Sequence, residues 1–306
     1  MSAFRGHVDD YLRLRRALGF KLEREGQLLS QFAASLEAVD VATVTSELAI
    51  AWAREPVGAR PNHCAKRLGV VRRFAAYLQT IDPATEVPPP GVFPARRHRP
   101  TPYLWSQTDI CRLLEGARAL HSPVRAATHE TLYGLLAASG MRIGEAVALQ
   151  RDDVDLRTGV ITIRHAKFDR SRLVPLHPTT TAALRRYTAE RDRLYPRPRS
   201  TAFFVSSAGT GLDRSGVGET FRKITIAIGV RTATVHPRIH DLRHSFAVQT
   251  LIGWQQAGLG VDEHLGTLST YLGHVSPADT YWYLSASPEL MELAATRLDA
   301  RFGAER

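Results

Sequence analysis

Seven prolines fall in the 21 residues from Asp82 to Pro102, which read D-P-A-T-E-V-P-P-P-G-V-F-P-A-R-R-H-R-P-T-P. Each proline fixes φ and removes a backbone donor, so neither a helix nor a central strand can run through such a stretch. The chain is therefore expected to fold as two pieces, 1–81 and 103–306, joined by an extended linker over 82–102. A length of 306 residues gives each piece enough material for a core of its own.

The first piece reads as helices. Val8, Tyr11, Leu12, Leu14 and Leu18 recur at helical spacing before Gly19, and Leu28, Leu29, Phe32 and Leu36 repeat the pattern. A third segment opens at Thr45-Ser46 and carries Leu48, Ile50 and Trp52; a fourth runs from Pro61 through Leu68, Val71, Phe74 and Leu78. Four short amphipathic helices make a small bundle. Lys66, Arg67, Arg72 and Arg73 lie off the apolar face of the fourth, where they form either a solvated surface or a phosphate-contacting stripe. Arg96, Arg97 and Arg99 in the linker are candidates for the same contact.

The second piece mixes helices with a hairpin. Ser106, with Asp109 three residues on, starts one helix, and another runs from about Pro123 to Ser139-Gly140, where glycine supplies a left-handed stop. Arg142 opens a short helix at once, although a cation there opposes the helix dipole. Either an anion shares that position with the guanidinium, or Arg142 pairs with Glu145 three residues away. Residues 159–164 and 172–176 alternate as two strands around Lys167. Lysine is rare in this chain (Lys21, Lys66, Lys167 and Lys223 among 40 Lys+Arg), and unlike arginine it can give up a proton. Further helices follow from Pro178, near 217–228, and from Ser287-Pro288 to the tail.

The net charge of +10 is shared evenly, with 15 Lys+Arg against 10 Asp+Glu before residue 101 and 25 against 20 after it, and it points to a polyanionic partner. Cys64 and Cys111 stand apart without ligand spacing, and are expected as reduced, packed thiols. No leader-like h-region or long apolar run is present, so the expectation is a soluble cytoplasmic protein without a membrane partner. No G-x-x-x-x-G-K-[ST] loop occurs. Asp153-Val-Asp155-Leu-Arg157-Thr-Gly159 starts like a calcium loop but has arginine at its fifth and twelfth positions. His240 and His244 have the spacing of zinc ligands, yet Arg243 lies between them and the expected glutamate is missing, so no metal site is expected.

What remains is concentrated between His236 and Tyr283: H-P-R-I-H-D-L-R-H-S-F-A, a spacer, then Y-L-G-H-V-S-P-A-D-T-Y-W-Y. Imidazoles, guanidinium groups and phenols with few carboxylates suit attack on a phosphodiester. Together with S-G-M-R-I-G-E-A-V-A-L at 139–149, these stretches resemble the three boxes of the tyrosine recombinases, the phage-integrase-type enzymes, and they stand in family order. The tail D-T-Y-W-Y-L-S-A-S-P-E-L-M-E-L from Asp279 more loosely resembles transposon-encoded members. The resemblance implies a mainly α protein with a small β-sheet: an N-terminal SAM-like core-binding bundle, then an α+β catalytic domain.

It also implies roles. Arg142 and Arg243 would hold the non-bridging oxygens of a scissile phosphate while a tyrosine attacks phosphorus, giving a 3′-phosphotyrosyl link without metal, ATP or other cofactor. Lys167 would protonate the leaving 5′-oxygen, His240 would assist proton transfer from the phenol, and His274 would hydrogen-bond the phosphate. The nucleophile usually lies nine residues beyond the histidine of the third box, which selects Tyr283 and leaves Tyr281 and Trp282 as packing. The implied partner is double-stranded DNA bearing specific recombination sites, bound by a homo-oligomer, with a tetramer and accessory recombinases as further expectations and residues 288–301 docking on a neighbour. The spacer between the second and third boxes looks longer and less regular than a plain helix–turn–helix. Two alternatives stay open: a non-catalytic DNA-binding relative of the same fold, and a type IB topoisomerase that relaxes DNA without exchanging strands.

Overall fold

The structure is a computed structural model that describes residues 3–94, 101–164, 171–197, 199–274, 276, 278–285 and 292. The chain divides into two compact units, Met1–Arg99 and Pro100–Arg306. Lys167, Arg96, Arg97, Arg99 and the expected tail helix lie outside the described residues.

In the first unit the four expected helices form as α1 (Ala3–Ala17), α2 (Glu23–Ala38), α3 (Ser46–Arg54) and α4 (Pro61–Leu78). The Thr45 hydroxyl accepts the Leu48 N–H at 3.3 Å to cap α3, and Pro61 starts α4, where its missing donor costs nothing. Leu29, Phe32, Trp52, Val71 and Phe74 fill the space between them. The proline-rich stretch departs from expectation over its first half. The Glu86 N–H reaches the Val44 carbonyl at 2.8 Å, Thr85 is buried, and Val92 and Phe93 pack on the bundle core. Prolines barred regular structure there, but they did not bar apolar contact.

The second unit contains α5 (Gln107–Arg118), α6 (Pro123–Ser139), α7 (Ile143–Ala148), α8 (Pro178–Leu194), α9 (Arg214–Ala227), α10 (Ile239–Gln256), α11 (Val261–Leu272) and the single turn α12 (Ala278–Tyr281). A tighter 3-10 turn, Trp282–Ser285, follows α12. The expected hairpin is present as β2 (Val160–Ile163) and β3 (Arg172–Pro175), antiparallel with Ile161 opposite Val174 and Ile163 opposite Arg172. A strand not expected from the sequence, β1 (Val154–Asp155), joins the far edge of β2. It falls within the stretch that imitates a calcium loop, and two residues are too few to show a period. Ile161, Ile163 and Val174 turn one face of the sheet into a core shared with Leu132, Tyr133, Phe203 and Leu242.

The spacer between the second and third boxes proves regular after all. α10 and α11 are separated by residues 257–260 only, with Gly258 at φ +76°, and Phe246 stacks on Tyr271 with ring centres 5.7 Å apart. Its polar and glycine-rich sequence concealed an ordinary helical hairpin, whose shared core is Val248, Leu251, Leu265, Leu268 and Leu272. The mainly helical fold with one small antiparallel sheet is thus as expected.

Candidate active site

Two helices end at the same place. α6 stops at Gly140 (φ +60°) and α11 at Gly273 (φ +67°), both in the left-handed region that glycine tolerates. Space as well as φ excludes a side chain here. A Cβ on Gly140 would lie 2.5 Å from the Phe246 ring, and one on Gly273 would lie 2.7 Å from the Arg172 guanidinium. The last carbonyls of a helix lack intrahelical partners and carry its negative end, so they attract cations.

Arginines occupy those carbonyls. Arg243, on α10, donates to the Gly140 and Leu272 carbonyls, each at 2.8 Å. Arg142, the residue before α7, donates to the Gly273 carbonyl at 2.8 Å. Arg172, at the start of β3, donates to the Tyr271 carbonyl at 3.0 Å. Among the described residues, the Glu145 carboxylate lies between Arg142 and Arg172. Glu145 accepts from Arg142 at 2.9 Å and from both ends of the Arg172 fork at 2.9 and 2.7 Å. Burial works against its charge, but Arg172 and Arg142 outweigh that and hold its pKa near about 2. The ion pair weighed for Arg142 therefore exists, but Arg172 takes a larger part of the same carboxylate.

Arg243 is 2% exposed, and burial followed by repulsion from Arg142 brings its pKa down to about 10, still charged at neutral pH. Tyr283, also 2% exposed, lies beside Arg243, whose charge acts on the phenol. Burial raises the phenol pKa, while Arg243 and Arg142 pull the other way. His274 meets the Thr280 hydroxyl at 2.6 Å and stacks on Tyr283 with centres 5.9 Å apart. Burial, then Arg243 and Arg142, hold His274 down at about 4. His240 keeps one exposed side and packs edge-on to His244 at 4.6 Å; partial burial and Arg243 lower its pKa as well. His244 in turn lies 5.4 Å from the Tyr283 ring.

Arg142, His240, Arg243, His274 and Tyr283 thus come together, from three separate stretches of the chain. One expectation fails: Tyr281 does not pack but is 55% exposed, whereas Tyr283 is buried. Trp282 does pack, against His244 at 5.0 Å. In the other unit, Lys66 and Arg73 are exposed and Arg72 half-buried on α4, but Arg67 is a correction. It is buried, stacked 3.6 Å from the Trp52 ring and donating to the Trp52 carbonyl at 2.8 Å, so it presents no charge to a ligand. Arg172, Thr280 and His244 were missed. Arg172 meets its partners across 27 and 99 residues, a separation no local pattern reports. His244 and Thr280 stand in the quoted boxes and could have been found from their spacing to His240 and His274.

Comparison with known proteins agrees with this geometry. Residues 106–289 match the phage integrase family. The chain belongs to that family. As a tyrosine recombinase it is an integrase/recombinase, a DNA strand-exchanging enzyme. A protein of Sinorhizobium fredii, y4rB, is 46% identical over 99% of this chain and 99% of its own length. The tyrosine recombinase XerD of Caulobacter vibrioides is 31% identical over 89% of this chain and 86% of its own. Among solved structures, the XerH site-specific recombinase bound to palindromic difH substrate has the same fold at a TM-score of 0.65 and 19% identity, covering 89% of this chain and 78% of XerH. The Tn1549 transposon integrase in complex with transposon right end DNA gives 0.66 at 14% identity, covering 96% and 98%. Among the described residues of this recombinase, no helix is long and apolar enough to cross a membrane.

Proposed function

We propose that this recombinase cuts and rejoins double-stranded DNA at specific sites, with Tyr283 as the nucleophile. The observation that carries the reading is the buried Tyr283 phenol beside Arg243 and stacked on His274, in a site where Arg142 and Arg172 share the Glu145 carboxylate and Arg243 donates only to carbonyls among the described residues. Such a surplus of positive charge favours an anion, and a backbone phosphodiester beside Arg243 would lie beside the phenol too. Arg142 and Arg243 hold its non-bridging oxygens and share the charge that grows on them in the transition state. The phenol oxygen bonds to phosphorus and its proton passes to His240, a neutral imidazole at pH 7 and so able to accept it. His274, fixed by Thr280, donates to the phosphate. The bond to the 5′-oxygen breaks, and Lys167 supplies the proton that makes it a hydroxyl. Reversal by a 5′-hydroxyl of another strand restores the phosphodiester and frees Tyr283.

DNA held elsewhere completes the reading. Lys66, Arg72 and Arg73 on α4 supply phosphate contacts in the first unit, and Arg96, Arg97 and Arg99 are proposed to add to them. Binding then weakens steeply with salt. Strand exchange between two sites calls for a homo-oligomer, with a tetramer giving one protomer to each exchanging strand, and accessory recombinases as further partners in the cytoplasm. The test is covalent capture on nicked duplex DNA. Tyr283→Phe is expected to abolish the adduct and Tyr281→Phe to keep it; an adduct on Tyr281 would sink the assignment. Joining of two different DNA molecules separates this reading from relaxation alone, and absence of any adduct would favour a non-catalytic binder.

A further inference from the structure

Arg172 has no part in the chemistry just described, yet it is as buried as Glu145, each side chain being 11% exposed. All three guanidinium nitrogens are engaged by protein acceptors: Nη1 and Nη2 by Glu145, Nε by the Tyr271 carbonyl. With three of its five N–H donors so engaged and 11% of its side chain exposed, it is held by the protein rather than presented to a ligand. The Arg142 guanidinium shares the same carboxylate through one nitrogen only, beside a bond from the Arg142 backbone N–H, and its side chain remains 36% exposed. With Arg142 as sole partner, Glu145 would cancel its charge. With Arg172 present, one unit of positive charge is left over, and it emerges on the member of the trio that faces out. The two parallel bonds from Arg172 also hold the carboxylate in one orientation.

Arg172 supports the same group a second way. Its guanidinium lies against Gly273, where a Cβ would come within 2.7 Å, and the Gly273 carbonyl is the acceptor that aims Arg142. Being paired with Ile163, Arg172 also ties the loop end of the β2–β3 hairpin to the end of α11. We propose that Arg172 is a positioning residue of strand cleavage: by taking up the Glu145 carboxylate it leaves the charge of Arg142 free for the scissile phosphate. The proposal rests on Arg142 being a phosphate ligand, as in the function proposed above.

The test uses the full chain and nicked duplexes recovered from a random-sequence pool by covalent capture on the wild-type protein. Arg172→Ala is expected to slow single-turnover adduct formation about 100-fold while changing DNA affinity by about threefold or less. Adding Glu145→Gln removes the carboxylate that would quench Arg142, so the double variant should regain about tenfold of that loss or more. A neutral methylphosphonate at the scissile position needs no cation, so the Arg172→Ala deficit should shrink on it by a similar factor. Arg172→Lys keeps the charge but not the fork and should fall between.

Losses that multiply in the double variant, or an equal deficit on both substrates, would overturn the proposal. Should Arg172→Ala fail to fold, Arg172→Lys decides: a rate equal to wild type overturns it, and an intermediate rate with unchanged affinity supports it. Failure of the wild-type chain to capture any DNA would overturn the underlying reading together with this proposal, and is distinct from either result.

Discussion

Arg67 in the bundle and Arg243 in the catalytic unit are buried to nearly the same degree, at 7% and 2% exposure, and their surroundings differ in one respect. Arg67 lies on the Trp52 ring and has a carboxylate, Glu55, at 3.6 Å. Arg191, a third buried arginine, is gripped by both oxygens of Asp192. Arg243 donates to two backbone carbonyls and lies beside a phenol, all of them dipoles, while the anion that acts on it, Glu145, is hydrogen-bonded to Arg142 and Arg172 instead. A cation buried beside its counter-charge is a finished structural element. One hydrogen-bonded to dipoles, with the carboxylate nearby taken up by other arginines, is held in place with its charge unspent, and that difference separates scaffold from site.

Substitution should expose the contrast. Arg243→Met is expected to lower adduct formation by about 10²–10³-fold or more, measured in single turnover on nicked duplex, since a transition-state donor is lost. Lysine should rescue it poorly, because a point charge cannot reach two carbonyls and a phosphate together. Arg67→Met should leave the adduct rate and the salt slope of DNA binding unchanged. Its cost should appear as stability, about 1–3 kcal/mol by denaturant unfolding, from the lost hydrogen bond and cation–π contact. Lys66→Ala and Arg73→Ala should behave the other way, reducing the salt slope by about one each without moving the unfolding midpoint. A drop in salt slope for Arg67→Met would break the comparison.

A smaller effect sharpens it. Gly58 and Gly140 both adopt positive φ, at +72° and +60°, but a Cβ on Gly58 meets nothing within 4 Å while one on Gly140 strikes Phe246. Gly58→Ala should cost only backbone strain, about 1 kcal/mol. Gly140→Ala adds overpacking of about 1–3 kcal/mol and shifts the carbonyl that Arg243 donates to, so it should slow cleavage as well. Equal losses in the two variants would show that the Gly140 turn has room to spare.

These cases also mark how far the sequence could be read. Helices with a clear apolar period and a start or stop residue, such as α4 behind Pro61 and α6 before Gly140, were legible because their signals are local. The site was legible where it is written as short strings, R-I-G-E, H-D-L-R-H and Y-L-G-H, each carried on one element. Burial was not. Lys66, Arg67, Arg72 and Arg73 look alike along α4, and only Trp52, 15 residues upstream, makes Arg67 a core residue. Arg172 is an alternating-strand residue in the sequence, and its meaning comes from Glu145 and Tyr271. Tyr281 was misjudged because nothing in the string D-T-Y-W-Y tells an exposed phenol from a packed one.

The last difference between the two regions is in titration. A histidine beside uncompensated cations should resist protonation, and His274, held at about 4, is such a residue. Its ordinary value is 6.5, so between those two pH values the unfolded chain binds a proton at this position that the folded chain refuses. Its contribution to stability is therefore intact above about pH 6.5, declines as pH falls through that window, and changes no further below about 4. Proton NMR of the His274 ring should give a midpoint near 4 in the free protein. Arg243→Met should raise the midpoint, though not fully, since burial is the larger cause. Duplex DNA seated in the site should raise it too, by bringing an anion. A midpoint near 6.5 in the free protein would mean that the ring is hydrated and the cations are already neutralised. Arg243 would then be as finished an element as Arg67.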